Sequence, residues 1–267
     1  MRDIQDEPDT RGLSIDAVGI SGYKHRLVLG DGSSYEHAIA TTSILVPLSA
    51  SVKGTHMSRM VEVVESRMTT FDPRGSGQTL DQIASSLGSD GAMFQTSFDF
   101  ATTVEAPVTG LKSTQVHSVE FTASLDDSGP ALVTSVRSHV TSLCPCSPAV
   151  SDYGAHNQRS SVRLSVVGTT ETLYPIHLAE AAEIVRRHGS CAVYPLVKRP
   201  DERAMTMGAF DKPQFVEDMA RDIALECRSR GLKYRVDVKN HESIHSHDAI
   251  SYIDGSGGQV ARTRAHF

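Results

Sequence analysis

Apolar and polar residues alternate along several stretches of this chain, and a period of two is typical of β-strands. The alternation is clearest over residues 116–122, where Val116, Val119 and Phe121 are interleaved with polar residues. Similar patterns predict eight strands along the chain. They are Ala17–Leu29, His37–Leu48, Met93–Glu105, Gln115–Leu125, Leu132–Leu143, Ser160–Val167, Lys233–Val238 and Ala249–Ile253.

Four other stretches have the spacing of apolar residues that is typical of amphipathic helices. They are His56–Arg67, Leu80–Leu87, Pro175–Arg187 and Pro213–Arg230. The last two begin with a proline and are followed by Gly189 and Gly231, and this arrangement is typical of the first turn and the end of a helix.

The predicted elements follow the order strand, strand, helix, helix, strand, strand, and this order then occurs a second time. Strands grouped around helices predict an α+β fold, with a sheet that carries helices on one face. We therefore predict two units, residues 13–128 and 129–254. Residues 1–12 and 255–267 are polar or rich in Gly, Ser and Arg, which predicts disordered tails.

Composition limits the kinds of protein to which this chain can belong. Hydrophobic residues make up 39% of the 267 positions, which is enough for a real core. The net charge of −6 argues against non-specific nucleic-acid binding, so local Lys and Arg must hold any anionic ligand. The chain shows neither a secretory signal nor an apolar run of about 20 residues that could span a membrane, so we expect a cytoplasmic protein.

Cysteine and histidine are concentrated between residues 144 and 156. Cys144 and Cys146 are one residue apart, and His156 follows ten residues after Cys146. Such side chains are ligands that zinc or iron accepts, but Cys-x-Cys is not the usual spacing of a structural zinc site. We therefore predict that one thiol binds the metal and the other faces the substrate. Two ordinary buried thiols beside a capping histidine remain the alternative.

A second cluster, residues 240–247, holds three histidines and a glutamate within eight positions. His245 and His247 would share a face in an extended segment, and His241 and Glu242 lie nearby in the sequence. Such a set can bind metal or transfer protons near neutral pH. The alternative is a solvated loop that happens to be rich in histidine.

Three weaker signals lie next to predicted helices. The Lys53–Arg59 segment combines a glycine with Lys and Arg before a helix, where an anion can bind. Glu202 follows Lys198 and Arg199 and could be a metal ligand, with the two cations contacting phosphate. For Glu202, and for Glu217 in the second Pro-initiated helix, a carboxylate in the first helical turn is a sufficient structural explanation.

Taken together, the motifs resemble those of the prokaryotic type IB GTP cyclohydrolases, over about residues 12–254. The motifs that carry the resemblance are Lys53–Arg59 (KGTHMSR), Cys144–Ser147 with Ser151–Ser160 (CPCS and SDYGAHNQRS), Lys198–Glu202 (KRPDE), Pro213–Asp222 (PQFVEDMARD) and Asn240–His247 (NHESIHSH).

The resemblance implies a tunnelling fold of tandem β-β-α-α-β-β units with an antiparallel sheet. It further implies a homo-oligomer, commonly a tetramer, with active sites at subunit interfaces. The implied reaction converts GTP to 7,8-dihydroneopterin triphosphate with loss of formate, which is the first step of tetrahydrofolate synthesis. The implied cofactor is one zinc, manganese or iron ion per site.

The resemblance also implies a role for individual residues. Cys144, His156 and Glu202 are the implied metal ligands. Cys146 is the implied substrate-facing thiol, and Glu217 is the implied anchor of the guanine. Glu242, His245 and His247 are implied near the metal and the ribose, and the candidates for binding the triphosphate are Lys53, Arg59, Arg159, Lys198 and Arg199.

Two other functions remain open at this stage. Another enzyme with the same fold, such as a pterin synthase or a deazaguanine nitrile reductase, would share the purine-anchoring Glu217. A reductase would use NADPH and a metal-free nucleophilic cysteine, which the Cys144 and His156 pairing disfavours. A zinc-stabilised purine-binding protein would explain Cys and His but not the set of Glu242, His245 and His247.

Overall fold

A computed structural model describes residues 5, 7–30 and 35–260. The first half of the chain folds into five strands and two helices. In chain order these are β1 (Ile15–Gly30), β2 (Tyr35–Leu48), α1 (Met57–Val63), β3 (Thr70–Phe71), α2 (Ser76–Leu87), β4 (Ala92–Glu105) and β5 (Lys112–Asp126). A π-helical turn over Val64–Met68 extends α1, and a 3-10 turn over Pro73–Gly75 precedes α2.

The second half contributes five more strands and four helices. In chain order these are β6 (Gly129–Leu143), α3 (Ser147–Val150), β7 (Asn157–Thr169), α4 (Leu178–Arg187), β8 (Cys191–Ala192), α5 (Arg199–Asp211), α6 (Val216–Ser229), β9 (Lys233–Asn240) and β10 (Ala249–Asp254). Within the described residues, no helix is both long and apolar enough to cross a bilayer.

All the long strands belong to one sheet, with the order β10-β9-β7-β6-β5-β4-β2-β1-β3 and with β8 paired to β6. The expectation of a tunnelling fold built from two antiparallel units is wrong. The turn after Asp126 pairs β5 directly with β6, so that the sheet runs without a break through the predicted unit boundary. The sheet is mixed, because β3 returns alongside β1 in the parallel direction.

The eight predicted strands correspond to the eight long strands of the sheet, with small differences at their ends. The two Pro-initiated helices begin later than predicted. Helix α4 starts at Leu178 and α6 at Val216, so Pro175 and Pro213 precede the first turns rather than occupying them. The backbone N–H of Phe215 donates to the Asp218 carboxylate at 3.1 Å, and this contact caps the start of α6.

The predicted tails lie partly outside the described residues, which leave out residues 1–4, 6 and 261–267. In the described part of the first tail, Pro8 forms an isolated β-bridge with Val52. In the described part of the second, the Gly255 N–H donates to the Tyr234 carbonyl at 2.8 Å, and Val260 is fully buried.

The hydrophobic core lies between one face of the sheet and the helices. Alternate strand residues such as Val136, Leu164 and Val236 pack there with helix residues such as Ile184 and Met219. We call the opposite face of the sheet the open face; it carries the remaining alternate residues of the same strands. This arrangement follows from the period of two, because successive side chains of a strand point to opposite faces.

His117 is a buried histidine on the core side of the sheet. His117 is only 1% exposed, and its ring nitrogens contact the Thr102 hydroxyl at 2.8 Å and the Ser138 hydroxyl at 2.6 Å. Burial, followed by the charges of Arg186 and His139, lowers the pKa of His117 to about 4. The fold therefore stabilises the neutral imidazole.

We predict that protonation of His117 contributes to acid unfolding. In the folded protein, the pKa of His117 lies below its ordinary value of 6.5. The stabilising contribution of the neutral imidazole is therefore fully present above pH 6.5 and is lost as the pH falls towards 4. The loss should be about 3 kcal/mol of unfolding free energy. His117→Gln should reduce the fall in stability between pH 7 and pH 4 by that amount in denaturant titrations. The exposed His37→Gln is the control, and equal pH profiles for wild type and His117→Gln would contradict the prediction.

Candidate active site

Three of the predicted motifs meet at one edge of the sheet. Strand β6 ends at Leu143, which pairs with Asn157 at the start of β7, and Ser160 of β7 pairs with Asn240 at the end of β9. The Cys144 N–H then donates to the His156 carbonyl at 3.2 Å. The register of the three strands therefore brings the cysteine motif, His156 and the histidine-rich segment to the same place.

Buried hydrogen bonds hold these strand ends together. The Asn240 side chain accepts from the Ser160 hydroxyl at 2.6 Å and donates to the Ser142 hydroxyl at 3.0 Å. The Ser142 hydroxyl in turn donates to the Gln214 carbonyl at 2.8 Å. We call these four residues the Asn240 junction. All four are buried, and they join β6, β7, β9 and the connection between α5 and α6.

The ring of His156 is oriented by Gln158, two residues further along the chain. Its Nδ1 lies 2.8 Å from the Gln158 amide oxygen. Because an amide oxygen only accepts hydrogen bonds, the neutral ring carries its proton on Nδ1 and leaves the Nε2 lone pair available to a metal. The hydroxyl of Ser243 also lies 3.5 Å from both Nδ1 and the Gln158 oxygen. Ser243 thus connects the histidine-rich loop to His156.

The two cysteines of the motif occupy different environments. Cys144 is half-buried, whereas Cys146 is exposed at the start of the short helix α3. The Ser147 hydroxyl accepts from the His156 N–H at 3.2 Å, which closes the loop between the two strands. The two thiols of the motif therefore differ in exposure, and their separate tasks stay a prediction.

The loop of residues 241–248 is exposed apart from the half-buried Glu242. The rings of His245 and His247 stack with their centroids 5.2 Å apart. The carboxylate of Asp248 pairs with Lys239 at 2.6 Å and lies 3.6 Å from His241 Nδ1. The hydrogen bond from Lys239 is the main cause that lowers the pKa of Asp248. The two stacked imidazoles are therefore presented to solvent at the same edge as Cys144 and His156.

The predicted metal ligands are only partly brought together. A backbone hydrogen bond joins Cys144 to His156, and their side chains are of the kinds that a zinc-like ion accepts as ligands. Glu202 lies in the first turn of α5, where it pairs with Arg199 at 2.7 Å. In the part of the chain that the structure describes, no three His, Cys, Asp or Glu side chains lie close enough to hold a metal ion.

The residue next to Glu202 has a structural role that its sequence position did not indicate. Asp201 is fully buried, and its carboxylate accepts from the backbone N–H groups of Val108, Thr109 and Lys198, each at 2.9 Å. These hydrogen bonds lower the pKa of Asp201 well below its ordinary value, against the opposing effect of burial. Asp201 thereby anchors the start of α5 to the turn between β4 and β5.

The predicted guanine anchor is exposed. Glu217 lies in the first turn of α6, three residues after the buried Gln214 of the Asn240 junction. The Gln214 N–H donates to the Leu143 carbonyl at 3.0 Å. The start of α6 is therefore fixed to the end of β6, next to the cysteine motif.

The predicted phosphate contacts fall into two separate places. Lys53 pairs with Glu7 at 2.8 Å, and Arg59 donates to the Ser86 carbonyl at 3.1 Å. Both residues follow the end of β2, which pairs with the beginning of β4, and through β5 this end of the sheet aligns with the beginning of β6. Cys144 follows the end of β6, so Lys53 and Arg59 lie at the opposite end of the strands. Only Arg159, Lys198 and Arg199 are carried by elements next to the cysteine motif.

Comparison with known proteins agrees with this set of motifs. A family profile described as "Type I GTP cyclohydrolase folE2" matches residues 1–251. A protein named GTP cyclohydrolase FolE2 from Aromatoleum aromaticum is 37% identical over 256 residues, which cover 94% of this chain and 93% of that protein. A protein of the same name from Methylobacillus flagellatus is 36% identical over 257 residues, which cover 95% of each.

Among solved structures, a uricase from Arthrobacter globiformis has a similar fold. The TM-score is 0.52 at 8% identity, and the match covers 90% of this chain and 94% of the uricase. A likeness at this identity shows the fold alone. The predicted tunnelling fold of antiparallel units is therefore corrected to a ten-stranded mixed sheet similar to that of uricases.

We predict that Asn240→Ala destabilises the fold, because it leaves the buried hydroxyls of Ser142 and Ser160 without their amide partner. The unfolding free energy should fall by about 2–4 kcal/mol. Chemical denaturation measures this change. Asn157→Ala, at the exposed first position of β7, is the control and should change stability by less than about 0.5 kcal/mol. An equal effect of the two substitutions would show that the Asn240 junction does not hold the strand ends.

Proposed function

Because this chain belongs to the type I GTP cyclohydrolase folE2 family, we propose that it hydrolyses GTP to 7,8-dihydroneopterin triphosphate and formate, the first step of tetrahydrofolate biosynthesis. The observation that carries the proposal is the backbone hydrogen bond that joins Cys144 to His156, together with the Gln158 contact that fixes the His156 ring. The histidine-rich loop and the start of α6 lie at the same edge of the sheet and are proposed to supply the other groups that this reaction needs.

We propose that one divalent ion of zinc, manganese or iron binds at this edge. Cys144 and His156 would hold it from one side. We propose Glu202 as the third protein ligand, which requires its ion pair with Arg199 to open. Held by these residues, such an ion would supply Lewis-acid activation of the water that attacks C8 of guanine. Three protein ligands leave the open coordination position that a catalytic site needs.

The remaining groups would move protons during ring opening. His245 and His247 are exposed and stacked, and an imidazole can donate or accept a proton. Either ring can protonate the guanine imidazole nitrogens as the C8 bonds break. Glu242, which is half-buried in the same loop, is proposed to act on the ribose. Cys146 is proposed to assist ring opening by proton transfer or hydrogen bonding from its exposed position.

Glu217 is the proposed reader of the guanine edge. The N1–H and the 2-amino group of guanine are parallel donors, which one carboxylate can accept in a bidentate contact. Adenine lacks this pair and would leave the carboxylate unsatisfied, and sites built on such hydrogen bonds reject the wrong ligand by about 10⁴-fold. The helix position of Glu217 supports this role, because α6 begins beside the cysteine motif.

We further propose that the protein works as a homo-oligomer, a tetramer with sites between subunits. Lys53 and Arg59 lie at the far end of the strands and could contact the triphosphate only from a second copy of the chain. Large apolar side chains that are mostly exposed in a single chain support such contacts; they include Ile39, Val116 and Ile250. Arg159, Lys198 and Arg199 are the proposed phosphate contacts beside the cysteine motif, and the cytoplasm is the proposed location.

The two thiols provide the test of the reaction and of the metal site. Cys144→Ala should lose both bound metal and GTP turnover, because a methyl group cannot replace a thiolate ligand. Cys146→Ala should keep its metal and lose turnover by about 100-fold or more. Metal content is measured by elemental analysis of apo-protein reloaded with each ion, and turnover by the fluorescent pterin that forms after oxidation.

Cys191→Ala is the matched control for the thiols, since this half-buried cysteine lies on β8 and outside the motif. It should retain both metal and turnover. Full metal content in Cys144→Ala would exclude this ligand, and equal metal loss in the two motif variants would show that both thiols are ligands. A wild-type protein that forms no pterin with any of the three metals would contradict the proposed function.

Glu217→Gln should weaken GTP binding without unfolding the protein. The amide loses the charge and points a donor at a base edge that itself donates, which costs about 2–4 kcal/mol. The dissociation constant for GTP should therefore rise by roughly 30- to 1,000-fold, with an unchanged melting temperature and metal content. Glu180→Gln is the matched control, because Glu180 occupies the first turn of α4. Wild-type GTP affinity in Glu217→Gln would remove Glu217 from the site.

A further inference from the structure

The described residues before β1 lie along the loop that leads into the Lys53–Arg59 motif. Four contacts join the two segments, and they pair Gln5 with Thr55, Glu7 with Lys53, Pro8 with Val52 and Asp9 with Ser51. Each step forward in one segment is matched by one step backward in the other, which is the register of an antiparallel pair. We call residues 5 and 7–9 the N-terminal strap, and residues 51–55 the Lys53 loop.

Hydrogen bonds hold both ends of the N-terminal strap on the loop. At one end the Asp9 N–H donates to a loop carbonyl at 3.0 Å, and at the other the Gln5 side-chain amide donates to a loop carbonyl at 2.8 Å. The Asp9 carboxylate accepts from the Arg11 backbone N–H at 2.9 Å and from the Arg11 guanidinium at 3.0 Å. Gly54 lies against the strap, since a Cβ at this position would come within 3.4 Å of the Gln5 side chain. The strap is therefore in contact with the loop at several points.

The middle of the strap places a carboxylate on the cation of the loop. Glu7 Oε2 lies 2.8 Å from Lys53 Nζ, a distance at which the ammonium donates a charge-assisted hydrogen bond. Both side chains keep contact with water, because Lys53 is 41% exposed and Glu7 is 27% exposed. Ion pairs in such positions are weak and are screened by salt. Another anion can therefore displace Glu7 from Lys53 without unfolding the protein.

A carboxylate on Lys53 resembles a phosphate group in its chemistry. Both are anions whose oxygen atoms accept hydrogen bonds from an ammonium group. Two anions on the same ammonium would repel each other at such short distances. The first twelve residues of the chain hold four carboxylate side chains and only two arginines, so this repulsion is not offset within the segment. An anion that binds Lys53 is therefore held most strongly when Glu7 has moved away.

The second cation of the motif has a different partner. The Arg59 guanidinium donates to the Ser86 carbonyl at 3.1 Å, and this carbonyl carries no net charge. The N-terminal strap therefore acts on Lys53 and leaves the charge of Arg59 as it is. A substitution in the strap changes the surroundings of one cation of the motif without altering either cation itself.

We propose that the N-terminal strap is an autoinhibitory segment, in which Glu7 occupies Lys53 and must leave before a phosphate group can bind there. The phosphate is that of the substrate nucleotide, and this part rests on the proposed function, in which Lys53 serves a site in a second copy of the chain. The displacement of Glu7 by a phosphate anion does not rest on it, because no turnover is required. The strap thereby raises the nucleotide concentration that is needed to engage Lys53.

Glu7→Gln tests the competition in the full-length protein loaded with metal. The substitution keeps the size of the side chain and removes its charge, so KM for GTP should fall by about 2- to 5-fold while kcat stays the same. Glu62→Gln is the matched control, because it removes the same charge from an exposed position on α1, the helix of the same motif. It should leave KM at the wild-type value. Equal KM values for the two variants would overturn the proposal.

A reversible cross-link tests the strap without changing the charge of Glu7. Pro8 and Val52 form a β-bridge, so Pro8→Cys combined with Val52→Cys places two thiols within reach of a disulfide. The oxidised variant should bind GTP about 10-fold more weakly than the reduced variant, because the strap can no longer leave Lys53. Wild-type protein taken through the same oxidation and reduction corrects for the native thiols. A ratio of affinities equal to that of the wild type would overturn the proposal.

Hydrogen exchange separates the strap from the reaction. The Asp9 N–H donates to the Ser51 carbonyl, so its exchange rate reports whether the strap lies on the loop. Saturating inorganic tripolyphosphate should remove the protection of this amide and leave that of Val119, in the middle of the sheet, unchanged. Unchanged exchange at Asp9 would overturn the proposal. Release of the Asp9 amide in a protein that does not turn over GTP would overturn the proposed function and leave the strap intact.

Discussion

The side chain of Asn240 holds three strand ends together under the proposed active site. Its amide accepts from Ser160 on β7 and donates to Ser142 on β6, while its own strand, β9, leads into the histidine-rich loop. A buried amide needs such partners, because an unsatisfied polar group in the interior is costly. Since Ser142 also donates to Gln214, the same contacts fix the segment before α6.

The chemistry of the site depends on this junction. Cys144 follows β6 by one residue, His156 precedes β7 by one residue, and the histidine-rich loop starts immediately after Asn240. None of these side chains lies on a long helix that could position it independently. Their mutual distances are set by the pairing of the strands, and the ring of His156 is then oriented by Gln158. On the open face of the same strands, the same register places Arg163 between Arg137 and Asp237.

Periodicity in the sequence predicted the eight long strands, because each has enough alternating residues to reveal one buried face. It did not predict how the strands join into a sheet. The parallel pairing of the two-residue strand β3 with β1 leaves no periodic signal, and this pairing makes the sheet mixed. The predicted starts of α4 and α6 were too early, because they were placed at the prolines 175 and 213. Each proline lies three residues before the first helical residue.

For the site, local clustering in the sequence identified Cys144, His156 and the loop that bears His245 and His247. It failed for residues whose partners are distant in sequence. Asp201 contacts a turn more than 90 positions earlier, and Arg137 meets Arg163 only through the register of β6 with β7. Residues 235, 237 and 239 alternate with buried neighbours along β9, and this alternation was the sequence signal that they lie on the open face of the sheet. Because the sequence does not give the order of the strands, it could not predict that these residues lie next to Arg137 or Arg163.

Hydrolysis at C8 of guanine is the reaction that we assign to this edge of the sheet. The most direct measurement uses GTP labelled with ¹³C at C8 and follows the label by NMR in the presence of the full-length protein and a divalent metal. We expect the label to appear in formate, with one formate released for each GTP consumed. Consumption of GTP with release of phosphate, and with the label retained in the purine, would contradict it.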